Sequence, residues 1–87
     1  MEFPGADLVE QGLRDLEAGV ESVEALLVSI GAPRLQALGF SLPRRLENPE
    51  ERLYLLLARQ DEDSAHGRYN ALIRRLVSFE RAAECAS

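Results

Sequence analysis

Apolar residues recur along the first third of the chain at the three- and four-residue spacing of a helix face. The first such face lies on residues 6–18 and comprises Val9, Leu13 and Leu16. Gly19 fits a left-handed helix end, and Ser22 fits the N-cap of a second helix that runs to Ile30. We therefore predict a break at Gly19. The apolar spacing also continues in phase to Ile30, so one uninterrupted helix is the alternative.

The middle of the chain predicts a short helix and then a long connection. Pro33 suits the first turn of a helix, and residues 34–38 supply one or two turns before Gly39 ends them. Residues 39–48 form the longest connection in the chain. Three large apolar side chains of this connection are expected to pack under the helices: Phe40, Leu42 and Leu46.

The clearest helix start lies at residues 48–51. Asn48 suits the N-cap, Pro49 suits the first helical position, and the two following acids suit the positive end of the helix dipole. This helix is expected to run to about Gln60. Its apolar residues at 53–57 point in every direction around the axis, which is typical of a helix that is buried on all sides.

The last predicted helix covers residues 65–84 and follows an acidic turn, with Ser64 or Asp63 as its cap. It carries a row of apolar residues at heptad spacing: Ala65, Tyr69, Leu72, Leu76, Phe79 and Ala83. Ile73 and Val77 lie beside that row and widen the apolar arc to roughly 160°. The fold prediction is a single domain over residues 1–87, an all-α compact bundle of four to five helices with a long C-terminal helix.

The apolar arcs of the last two helices exceed what one packed neighbour covers. Each leucine left exposed would lose roughly 1.5–3 kcal/mol of stabilisation from burial, and together they would form an exposed apolar patch that favours association. We therefore expect association through the last two helices, in a homodimer or a hetero-complex, with the homodimer favoured. The alternative is a protomer that covers these residues by itself. The predicted interaction residues are Leu53, Leu56, Leu57, Tyr69, Ile73 and Val77.

Charge is distributed unevenly along the chain. The net charge is −5, and every basic residue is arginine. Residues 1–32 carry seven acids and one arginine, whereas residues 33–87 carry nine arginines and eight acids. Two arginine pairs on the last helix are seven residues apart, Arg68 with Arg75 and Arg74 with Arg81. Such pairs could hold a phosphate backbone, but pairing with the acidic first helix is the favoured interpretation, and nucleic acid is an unlikely partner.

The composition excludes several classes of site. One cysteine, Cys85, cannot form an internal disulfide, and one cysteine with one histidine cannot form a Cys–His zinc site. The acidic turn at 61–63 does not fit a calcium-loop pattern, so we predict no metal and no cofactor. The start of the chain lacks an apolar signal region, and no apolar run approaches the length of a membrane span. A cytoplasmic protein is expected.

His66 is the only histidine and the natural candidate for proton transfer. Arg59 precedes it by six intervening residues. An arginine followed by four to six residues and a histidine resembles the signature of HEPN-type ribonucleases, an all-helical, dimeric family that cuts RNA without metal. The resemblance implies that His66 and Arg59 would act at the 2′-hydroxyl and the scissile phosphate. It covers two residues, and Gln60 stands where that family more often has Asn, Asp or His.

These observations favour a non-catalytic interaction module over an enzyme. The module is expected to be small, cytosolic and self-associating, and to serve a protein partner. Two alternatives stay open: a metal-independent ribonuclease that uses His66 and Arg59, and an antitoxin-like regulatory subunit that binds a partner enzyme.

Overall fold

A computed structural model describes residues 3–42 and 44–86. These residues form five α-helices and no strand, so the all-α prediction is confirmed. The Cα radius of gyration is 12.4 Å, close to the roughly 12 Å expected for a compact chain of this length. The helices in chain order are α1 (Ala6–Ala18), α2 (Val23–Ile30), α3 (Ala32–Ala37), α4 (Pro49–Gln60) and α5 (Ala65–Ala86).

The chain breaks at Gly19, as predicted, and the uninterrupted-helix alternative is wrong. Gly19 has φ 76° and ψ 21°, and its amide donates to the carbonyl of Leu16. A left-handed residue of this kind favours glycine because it has no Cβ. The Ser22 hydroxyl accepts a 3.0 Å bond from the Ala25 amide and donates a 2.6 Å bond to Asp15. These bonds fix the angle between α1 and α2.

Helix α2 is the centre of the core. Its residues 25–29 are buried, with α1 packed on one side and α4 on another. Gly12 brings α1 close to α2, since a Cβ at this position would overlap the Glu24 carbonyl oxygen and lie 2.7 Å from Val28 Cγ1. Helix α5 closes the bundle mainly against α4.

Phe79 of α5 joins the N-terminal segment and the long connection to the core. Its ring is fully buried, 6.0 Å from the ring of Phe3 and 5.6 Å from the ring of Phe40 between centroids. Leu42 is also buried, and Leu46 packs partly against the core. The prediction that the connection packs under the helices is confirmed.

Two features of α4 differ from the sequence prediction. Asn48 precedes the helix in a left-handed conformation, φ 48° and ψ 48°, and its side chain makes no capping bond. The helix is also not buried all round, because its neighbours α2 and α5 cover only part of its circumference. Tyr54 is 39% exposed and Leu55 is 50% exposed.

One of the expected ion pairs between the acidic first helix and the arginines of α5 is present among the described residues. Arg75 donates to Asp7 at 3.0 Å, which is one of the α5 pairings that the charge distribution favoured. Glu21 pairs instead with Arg52 of α4, and Arg34 pairs with Glu84 at 2.7 Å. Exposed pairs of this kind add little stability, so they position helices more than they hold them together.

Helix α5 extends two residues beyond the predicted end at residue 84. Cys85 therefore lies within the last helical turn, where it is exposed and not in a disulfide. None of the described helices is long and apolar enough to cross a bilayer.

Candidate functional site

Two surfaces flank α5 on opposite sides. On one side, a cleft of about 620 Å³ lies between α5 and the α1–α2 pair, and we call it the arginine cleft. On the other side, a strip of partly exposed apolar residues follows the helix, and we call it the α5 strip. The strip comprises Ile30, Pro33, Tyr54, Tyr69, Ile73 and Val77.

The six predicted interaction residues separate into three groups. Leu53 and Leu57 are fully buried in the core of the protomer, so they offer no surface to a partner, contrary to the expectation. The helix that carries them packs against α2 and α5, and both side chains are buried without a second chain. Leu56 is half-buried and lines the arginine cleft. Tyr69, Ile73 and Val77 belong to the α5 strip, and their role in association stays a prediction.

The α5 strip extends across four helices, α2, α3, α4 and α5. The rings of Tyr54 and Tyr69 lie 5.9 Å apart and join α4 to α5. Further along α5, Ile73 and Val77 share a groove of about 290 Å³ with Ile30 and Pro33. Partial burial, and then the nearby Glu50 carboxylate, raise the pKa of Tyr69. The strip therefore offers an apolar surface with tyrosine hydroxyls at one end.

The arginine cleft combines an apolar floor with charged walls. Its floor is apolar and consists of Leu8, Val23 and Leu56, while Ala71 and Leu72 belong to the α5 wall. Arg68 and Arg75 line the α5 wall, and Glu24 lines the facing α2 wall. The seven-residue spacing of the two arginines is visible in the sequence, but the cleft itself arises only from the packing of α5 beside α1, α2 and α4.

Glu80 is a buried acid that sequence reasoning missed. It is 4% exposed, and its nearest cation is Arg34, with the Arg34 Nη1 and Glu80 Oε1 atoms 3.6 Å apart. Loss of solvation raises the pKa of Glu80, the Glu84 charge also raises it, and Arg34 lowers it. Its position seven residues after Ile73 is the signal, because that spacing places it on the same side of α5.

We expect the Glu80→Gln variant to change how stability depends on pH. The folded-state pKa of Glu80 lies above its ordinary value of 4.5, so the folded state holds this proton more tightly than the unfolded state does. Wild-type stability should therefore fall as pH rises from about 4.5 through the raised pKa, relative to the variant. Urea unfolding between about pH 3 and pH 8 measures this difference and also covers the range in which the Glu84→Gln control should change.

Glu84→Gln is the matched control, with the opposite sign. The hydrogen bond from Arg34 lowers the pKa of Glu84 below 4.5, so wild-type stability should rise, relative to this variant, as pH rises toward 4.5. Identical pH profiles for both variants would contradict the assignment of Glu80 as the buried, poorly solvated acid.

The structure does not join His66 and Arg59 in one site. Both are exposed, and no described contact links them. The His66 ring nitrogen lies 3.2 Å from the amide nitrogen of Asn70 on the same helix. Arg59 lines a separate small hollow near Arg52 and Leu55. The ribonuclease hypothesis therefore gains no geometric support.

The acidic turn before α5 uses its oxygens locally. The Asp61 carboxylate accepts a 3.1 Å bond from the Asp63 amide, as expected for an acid in a turn. Within residues 3–42 and 44–86, no three metal-binding side chains form a group that could hold an ion. Among the described residues, the α5 strip and the arginine cleft are the candidate binding surfaces. No protein-family model, curated protein or solved structure matches this chain.

Proposed function

We propose that this chain is a cytoplasmic, non-catalytic interaction module that self-associates through the α5 strip. The observation that carries the proposal is the continuity of that strip from Tyr54, through Tyr69, to Val77 on the outer side of α5. Monomeric proteins seldom expose a connected apolar surface without a use for it. The exposed, unbridged thiol of Cys85 fits a reducing compartment.

A second heptad-spaced row on α5 supports pairing with another copy of the same helix. Its members are spaced 4-3-4-3-4 along the sequence: His66, Asn70, Ile73, Val77, Glu80 and Glu84. The row is apolar at its centre. It carries hydrogen-bond donors at one end. At the other end it carries the exposed carboxylate of Glu84, which pairs with Arg34, while Glu80 is buried within the protomer.

This order of polar, apolar and acidic residues along α5 favours an antiparallel pair of α5 helices, one from each copy, with a two-fold axis between residues 73 and 77. Ile73 then meets Val77 of the partner subunit, and His66 meets Glu84 of the partner subunit. In a two-fold symmetric dimer, the same surface patch of each copy forms the interface, so that patch must be complementary to itself. A parallel pair would set the Glu84 carboxylates of the two copies against each other and would be disfavoured by their repulsion.

The size of the surface sets how much of α5 must take part. A stable interface takes about 800 Å² from each partner, which is about 15% of the 5277 Å² accessible to solvent on this chain. The apolar centre alone is narrow, so the polar ends of the row and Tyr54 on α4 belong to the proposed interface. Self-association of intermediate strength, in the micromolar range, is expected.

Sedimentation equilibrium of the wild-type chain tests the proposal. At tens of micromolar and above, we expect a mass near twice 9.7 kDa. Val77→Glu places two like charges beside the two-fold axis and should weaken the dimer by about 100-fold or more. Leu55→Glu is the matched control, because it makes the same charge change at a 50% exposed leucine outside the strip.

Circular dichroism verifies that both glutamate variants keep their helices, so a lost dimer is not confused with a lost fold. Two results would overturn the proposal. One is a wild-type monomer at high micromolar concentration. The other is a dimer that resists Val77→Glu but dissociates with Leu55→Glu, which would place the interface elsewhere.

A further inference from the structure

We infer that the arginine cleft binds an amphipathic helix of a protein partner, with acidic residues on either side of an apolar centre. The inference concerns a different surface from the α5 strip and does not depend on self-association. It rests on the spacing of the cleft residues on α5, on the charge of the two walls and on the apolar floor.

The α5 wall has the residue spacing with which one helix meets another. Arg68, Ala71, Leu72 and Arg75 all line the cleft and stand at positions i, i+3, i+4 and i+7. This spacing defines a single face two turns long, about 10 Å along the axis. Ala71 is small and lies at the middle of that face, where it lets a facing backbone approach closely. A helix is therefore a better fit to this wall than an extended peptide.

The charges on this wall select the sign of the partner. Arg68 is exposed and has no ion-pair partner among the residues that the structure describes. Arg75 donates hydrogen bonds from one guanidinium nitrogen, Nη2, to the carboxylate of the exposed Asp7. Its other N–H groups can still donate to a second carboxylate. Two arginines seven residues apart match two acids about seven residues apart on a facing helix.

The opposite wall gives the partner helix an orientation. Glu24 lies across the cleft from the arginines, so a basic residue is favoured on the side of the partner that faces α2. A helix with acids toward α5 and a base toward α2 satisfies both walls. The reversed arrangement sets like charges together on both sides.

The floor supplies the apolar contact that holds such a helix. Leu8, Val23 and Leu56 are half-buried, so each still has surface to lose to a partner. The volume of about 620 Å³ accommodates the apolar side chains of one helix face. Recognition of an amphipathic helix by an apolar groove with a charged rim is a recurrent mode of peptide binding.

A displayed library of helical peptides, randomised along one face, tests the inference with synthetic sequences in place of the natural partner. Peptides are selected on the wild-type chain and counter-selected on the Arg68→Glu variant. We expect enriched peptides with an apolar centre flanked by Asp or Glu about seven positions apart. Fluorescence anisotropy of the enriched peptides then gives their dissociation constants.

Three variants make the measurement specific. Arg68→Glu should weaken binding at least tenfold, and Ala71→Phe, which fills the centre of the cleft, should do the same. Arg74→Glu is the matched control on α5, because it makes the same charge change at an exposed arginine that does not line the cleft, and it should change binding less than twofold. Circular dichroism confirms the helix content of each variant.

Some outcomes would overturn the inference. The inference is contradicted if no peptide from the library binds the wild-type chain more tightly than it binds the Arg68→Glu variant. Enriched peptides that carry basic residues in place of the acids would contradict it as well. Binding that is equally sensitive to Arg68→Glu and Arg74→Glu would reduce the effect to general charge attraction and remove the cleft from it.

Discussion

A Phe79→Ala variant is expected to lose about 3–5 kcal/mol of unfolding free energy, the largest loss of any single truncation in this chain. Phe79 is fully buried, and its ring contacts Phe3 from the N-terminal segment and Phe40 from the long connection. The total free energy of unfolding of a chain of this length is about 4–13 kcal/mol. Urea denaturation at 25 °C measures the loss, and a midpoint shift without a change in slope assigns it to the folded state.

Leu55→Ala is the control for this truncation, because it removes a large apolar side chain from a site that is 50% exposed. Its cost should stay within about 0.5 kcal/mol. Equal losses for the two variants would contradict the central place of Phe79 in the core.

Gly12→Ala is expected to destabilise the protein by about 1–3 kcal/mol, although alanine is the better helix former. The added methyl group would overlap the Glu24 carbonyl oxygen and lie 2.7 Å from Val28 Cγ1. Because the Glu24 oxygen belongs to the backbone, α1 must move away from α2 to accommodate the added methyl group. Thermal unfolding should show a midpoint lower by at least about 4 °C.

Gly67→Ala makes the same substitution in another helix and should have the opposite effect. Gly67 lies in the first turn of α5, with nothing within 4 Å of an added Cβ. We expect it to gain about 0.4–1 kcal/mol, since alanine restricts the unfolded chain and favours the helix. Stabilisation of both variants would contradict the conclusion that α1 approaches α2 closely at Gly12.

Helix boundaries were predictable because their signals are local. Gly19 and Ser22 act on residues a few positions away, and Pro49 needs only its own ring to begin a helix. The side chain of Asn48 was predicted to cap α4 but does not, because the residue adopts a left-handed conformation. That conformation depends on how the connection enters the helix, which the sequence pattern does not encode.

The surfaces were less predictable because they depend on which helices become neighbours. Angular position on α5 sufficed to place Ile73 and Val77 beside the core. The leucines of α4 could not be sorted in the same way. Leu53 and Leu57 are buried and Leu55 is exposed, since α2 and α5 cover only part of that helix. The arginine cleft also depends on this packing, because four helices contribute to its lining, α1, α2, α4 and α5.

The position of the arginine cleft and the α5 strip on opposite flanks of α5 has a consequence for valency. If the proposed dimer formed on the strip, both clefts would stay accessible on the other flank of each α5. Such an assembly would be bivalent, and a partner that presents two helices on a suitable linker would gain avidity of about 10²–10⁴ over a single contact. Dilution of this small chain below its dimer dissociation constant would then release the partner as well, without any change in the cleft.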